Sequence, residues 1–104
     1  MIAVFTKDLL FKSRIKMMTK EPILFFTEPI KYPSDARLII VDLSMPGAID
    51  LIKSTHIKRI AYGPHMQTEL LSQARGAGAE AMPRSAFVTR LPELLKTDEA
   101  TTVD

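Results

Sequence analysis

The sequence predicts an α/β domain built on a five-stranded parallel sheet with helices on its faces. Three observations carry this. Five short apolar runs rich in strand-forming residues recur along the 104 residues. Most of the segments between them carry helical spacing, and strands alternating with helices make parallel sheets. The third run, RLIIVDL (37–43), is apolar on both parities, as expected of a strand covered on both faces.

MIAVFT (1–6) reads as the first strand. In DLLFKSRIKMMTK, Leu10, Phe11, Ile15, Met17 and Met18 recur at spacings of three, four and seven, with Lys12, Ser13, Arg14 and Lys16 between them. That is an amphipathic helix, with Thr6 or Asp8 as its cap. Pro22 stops it by biasing Glu21 away from helical angles. ILFFT (23–27) is the second strand. EPIKYPSDAR (28–37) holds Pro29 and Pro33, so a loop stands where the alternation calls for a helix. After the third strand, GAIDLIKST (47–55) makes a short helix on Ala48, Ile49 and Ile52, and IKRIAYG (57–63) is the fourth strand. Pro64 opens the next helix, which buries Met66, Leu70, Leu71 and Ala74 and closes at Gly76 and Gly78. EAMPRSAF (80–87) is the fifth strand, confined by Pro83 to an edge or a strand end. VTRLPELLK forms a last short helix, and residues 97–104, TDEATTVD, form a flexible acidic tail.

Residues 1–96 therefore form a single domain. Its expected strand order is 2-1-3-4-5, a flavodoxin-like three-layer sandwich whose second helix is missing. The link from strand two to strand three must cross strand one within about ten residues. Ten residues span at most roughly 33–36 Å, enough for one strand length of ~17–20 Å plus two strand spacings of ~10 Å. The link must run nearly straight, and the face it crosses is thin or covered by a partner.

With 46% hydrophobic and 25% charged residues, the chain supports one core. It has no cysteine, which excludes disulfides, thiolate catalysis and zinc-ribbon sites and suits the reducing cytoplasm. No apolar run approaches the ~20 residues that span a bilayer, and the start lacks the pattern of a signal peptide. Outside the tail, 14 basic residues face nine acidic ones. This mild excess lacks the aromatic stacking or recognition motif of a nucleic-acid binder. RGAGAEA closes a helix rather than opening one, so it is no phosphate loop. His56 and His65 have no second ligand at metal spacing. Ser44 and Ser85 have no triad setting and no Gly-x-Ser-x-Gly elbow. No complete catalytic set emerges, so an enzyme is not expected.

One residue stands out. Asp42 ends the apolar run of the third strand, and burying a lone carboxylate costs several kcal/mol unless it is compensated. Either Asp42 lies where the strand leaves the core, or it has a partner.

DLSMPG (42–47), the QARGAGAEA segment (73–81) and the five-strand rhythm together resemble the receiver domain of bacterial response regulators, over roughly residues 2–96. The resemblance implies that Asp42 is the phosphoacceptor. It implies that Asp8, Asp42 and the backbone carbonyl of Ser44 hold a weakly bound magnesium ion. Lys7 stands where receivers have a second acid, Gly63 where they have Ser or Thr, and either Arg84 or Ser85 where they have lysine. These departures point to a degenerate pseudo-receiver in which the Lys7 ammonium replaces the metal. The expected role is a standalone signalling module that works by contact with a kinase, a downstream protein or a second copy as a homodimer. Two alternatives stand beside it: a working phosphoacceptor of a two-component phosphorelay, and a small flavodoxin-like ligand-binding domain. No membrane or nucleic-acid partner is implied.

Overall fold

The structure, a computed structural model, describes residues 1–96; the tail read as acidic and flexible, 97–104, lies outside the described residues. The chain runs β1 (Ile2–Phe5), α1 (Leu9–Met18), β2 (Ile23–Phe26), β3 (Leu38–Asp42), α2 (Ala48–Ser54), β4 (Lys58–Gly63), α3 (Thr68–Gly76), β5 (Glu80–Pro83) and α4 (Arg84–Leu94). All strand pairs are parallel and the order is β2-β1-β3-β4-β5, the flavodoxin-like arrangement expected. The register sets Phe5 beside Val41, Asp42 beside Tyr62 and Gly63 beside Pro83. The carboxyl ends of the inner strands thus form one edge.

Alternation along the strands divides the core in two. Ala3, Phe5, Ile39, Val41 and Ala61 face α2 and α3, meeting Leu51, Ile52, Leu71 and Ala74. Ile2, Val4, Leu38, Ile40, Ile60 and Tyr62 face α1 and α4, meeting Phe11, Ile15, Phe87, Leu91 and Leu94. Both sides of β3 are covered, which is why it is apolar up to Asp42 at its end.

The β2–β3 link contains no helix. Its face is covered by the chain itself: Phe26 stacks on Phe5 with centroids 4.9 Å apart, and Tyr32 from the link meets Phe5 edge-on at 6.4 Å. Two aromatic rings substitute for part of a helix. A groove of about 760 Å³ remains between the link and α2, lined by Ile30, Tyr32, Asp50 and Leu51 among others.

Several local expectations are corrected. The fifth strand is not 80–87: it ends at Pro83, and α4 starts at Arg84 rather than at residue 88. Proline has no N–H for a further ladder bond, and its fixed φ suits a helix N-cap. The helix at Pro64 starts instead at Thr68, after a turn closed by the Gln67 amide donating to the Pro64 carbonyl. Met66 is therefore 82% exposed rather than buried. In α1 only Phe11 and Ile15 are buried, while Leu10 and Met17 are 82% and 89% exposed. The stripe docked against the sheet is narrower than the apolar pattern predicts.

At the amino edge of the sheet, Glu21 accepts two hydrogen bonds from the Arg37 guanidinium, at 2.7 and 2.6 Å, and lies 3.0 Å from the Met1 ammonium. Arg37 also donates to the Leu95 carbonyl. The paired guanidinium holds the Glu21 carboxyl below its ordinary value of 4.5. Because the folded value is depressed, this stabilisation is present above about pH 4.5 and fades as pH falls through the folded value. Glu21→Gln should lower stability at neutral pH by about 1–3 kcal/mol and flatten the acid limb. Urea midpoints compared between about pH 6 and pH 3 check this; an unchanged slope on the acid side would contradict it.

On the other face, Arg59 of β4 ties two helices together. Its guanidinium donates to the carbonyls of Ile52 and Thr55 at the end of α2, at 3.2 and 2.8 Å, and to Ala77 at the end of α3, at 3.3 Å. Helix ends expose such unpaired carbonyls, and a cation there also complements the helix dipole. Gly78, with φ +107°, passes close against this guanidinium.

Candidate functional site

The site is built where β1, β3 and β4 end. Thr6, just past β1, is fully buried, and its hydroxyl is completely used. It donates to Asp42 Oδ2 at 3.3 Å and accepts from the Tyr62 hydroxyl at 3.0 Å and the Asp8 amide at 3.1 Å. One donor and two acceptors are all a hydroxyl offers. Asp42 Oδ1 accepts from the Ser44 amide at 2.9 Å and the Ser44 hydroxyl at 2.7 Å. That is an Asx-type turn, and the Met45 amide closes it by donating to the Asp42 carbonyl at 3.1 Å. Gly47 then takes φ +84° as the N-cap of α2, with Pro29 packed where a Cβ would stand.

Asp42 is thus 9% exposed and carries partners, but they are neutral donors. Lys7 is exposed and, among the described residues, forms no ion pair. The expected Lys7–Asp42 contact is therefore replaced by another arrangement. The guanidinium of Arg84, the first residue of α4, bonds Asp8 Oδ2 and lies 5.8 Å over the Tyr62 ring. Asp8 also caps α1, its Oδ1 accepting from the Phe11 amide at 3.1 Å. The Arg84 hydrogen bond, followed by the Phe11 amide, holds the Asp8 carboxyl below its usual range, and Asp8 raises Arg84 in turn. Burial pushes the Tyr62 phenol up.

A cavity of about 600 Å³ opens on this edge, lined by Asp42, Tyr62, Gly63, Arg84, Ser85 and Val88 among others. Arg84 and Ser85 both belong to the first turn of α4, so both reach it from the same side. Gly63, at the end of β4, and exposed His65 also line it.

A search of known protein families, curated proteins and solved structures finds no match.

Among the described residues no three His, Cys, Asp or Glu side chains group as metal ligands. The magnesium set expected from Asp8, Asp42 and the Ser44 carbonyl does not fit this arrangement. One Asp8 oxygen is held by a guanidinium and the other by a helix cap. Asp42 has spent three acceptor sites on protein donors. Magnesium requires near-ideal octahedral oxygen ligation, whereas each Asp8 oxygen already holds a donor and Asp42 keeps about one acceptor site.

Sequence reasoning had Asp8, Asp42, Ser44, Gly63, Arg84 and Ser85 at this edge, and the structure brings them together. It assigned Thr6 only a capping role and passed over Tyr62. A signal for Tyr62 existed: a tyrosine near the end of a buried strand needs a partner for its hydroxyl.

Proposed function

We propose that the chain is a non-enzymatic pseudo-receiver, a signalling module that does not take a phosphoryl group and acts by protein contact. The observation that supports this most is the Asp8–Arg84 pair. A phosphoryl-accepting aspartate needs a cation to offset the approach of two negative groups. Here the residue that would help hold that cation is tied to a guanidinium built into the fold. The Asp42 oxygens are also held by Thr6 and Ser44. The partner is a kinase, a downstream signalling protein or a second copy, and the compartment is the cytoplasm. Among the described residues no helix is long and apolar enough to cross a membrane.

The test is incubation with acetyl phosphate, or with beryllofluoride, in the presence of magnesium. Intact mass and amide spectra are expected to stay unchanged, and Asp42→Asn should behave as the parent does. A phosphoryl adduct that disappears in Asp42→Asn would overturn the proposal and establish the working phosphoacceptor instead.

A further inference from the structure

We propose that the cavity at the carboxyl ends of β3 and β4 binds a small zwitterion, an α-amino acid with an apolar side chain. This goes beyond the protein-contact role and does not rest on it. The cavity, about 600 Å³, lies within the range of small-molecule sites, roughly 300–1,000 Å³.

Its charge pattern selects the ligand. Asp42 lines one side and Arg84 another, yet the two form no ion pair, because Arg84 is engaged with Asp8. The cavity therefore presents a carboxylate and a guanidinium that are apart. Each keeps capacity to spare. A carboxylate offers about four acceptor sites, and Asp42 has used three. A guanidinium has five N–H donors, and Arg84 directs one nitrogen at Asp8. Ser85 adds a hydroxyl beside it.

A lone anion would gain from Arg84 but meet Asp42 and Asp8. A lone cation would gain from Asp42 but meet Arg84. A zwitterion satisfies both ends: its ammonium donates to Asp42, and its carboxylate accepts from Arg84 and Ser85. Tyr62, Pro64 and Val88 supply the apolar wall for the side chain.

The experiment is an amide-spectrum titration with L-phenylalanine, phenylacetate, 2-phenylethylamine and glycine. These share the ring or the zwitterion, but only the first has both. L-Phenylalanine should give saturable shifts centred on Gly63, Ser85 and Val88. The other three should bind at least about tenfold more weakly, as expected when one charge-assisted hydrogen bond or the apolar contact is lost. Asp42→Asn should reduce L-phenylalanine to the level of phenylacetate. Val88→Trp, which fills the cavity from α4, should abolish the shifts while the spectrum stays dispersed. Equal affinity for all three ring compounds, or no saturable shift up to roughly 10 mM, weaker than a millimolar complex, would overturn the proposal. So would shifts that survive Val88→Trp. The phosphorylation test reads a covalent adduct, so either proposal can fail without the other.

Discussion

Phe87→Ala is expected to lower the unfolding free energy by about 3–5 kcal/mol, the usual cost of emptying a large aromatic site in a core. Phe87 is fully buried. Its ring stacks on Tyr62 with centroids 4.6 Å apart and an interplanar angle of 11°, and it meets Phe11 at 5.3 Å. Phe11 in turn lies 5.3 Å from Tyr62. One residue from each of α1, β4 and α4 thus forms a three-ring cluster directly beneath the site. Losing the central ring leaves a void that the rigid sheet cannot close, and it loosens the Tyr62 ring on which Arg84 rests. A domain of this size has roughly 5–15 kcal/mol in hand, so the variant should be folded at low temperature and markedly less stable on heating. Urea titration by circular dichroism measures the loss. Phe87→Leu should cost less, about 1–1.5 kcal/mol, as a nearer match in volume. A loss under ~1 kcal/mol for the alanine variant would mean that α4 does not dock as described.

The second large effect concerns Gly78 and Arg59. A Cβ on Gly78 would lie 2.7 Å from one guanidinium nitrogen of Arg59, and φ there is +107°. Alanine meets both a backbone penalty and a clash, for an expected loss of about 2–4 kcal/mol. Arg59→Met removes the donor shared by three helix-end carbonyls. The Arg59 Nε is buried with no partner among the described residues, which reduces the net value of the native contact. The expected loss is about 1–3 kcal/mol. Together the two changes should cost less than their sum by at least about 0.5 kcal/mol, since removing the guanidinium relieves the clash and leaves only the backbone penalty. A double-mutant cycle in urea gives the coupling directly; strict additivity would show that the close approach is not felt.

How much of this could be read beforehand differs from element to element. The strand order was legible because five strands alternating mostly with helices suit the flavodoxin-like arrangement, and because the helix-free link is just long enough to cross strand one. The start of α4 was not, although its signal was present: Phe87, Leu91 and Leu94 follow spacings of four and three. Reading 80–87 as one strand cut that pattern at its first member. On α1 the apolar residues outnumber the positions that the sheet can cover, so periodicity alone marked Leu10 and Met17 as buried. At the site, Asp42 was visible because it ends an apolar run, and Asp8 through the resemblance to receivers. Their partners were not. Lys7 was expected at Asp42 because it stands where the receiver pattern has a second acid, but Thr6 takes the inward position and Lys7 turns to solvent. Arg84 comes from the far end of the chain, delivered by the first turn of a helix, and no local spacing encodes such a meeting.

The shortened link also makes the molecule unequal in strength from one flank to the other. β2 pairs only with β1, and on the face toward α2 its Phe26, stacked on Phe5 beside Tyr32, stands where no helix packs. Opening free energies in a protein range from near zero to the full global value, and this border should fall at the low end. Strain or heat would peel β2 and the start of the link first, up to the point where Arg37 anchors the chain to Glu21 and Leu95, while the block from β3 through α4 stayed closed. The segment best able to change shape is therefore the border strand whose link carries no helix.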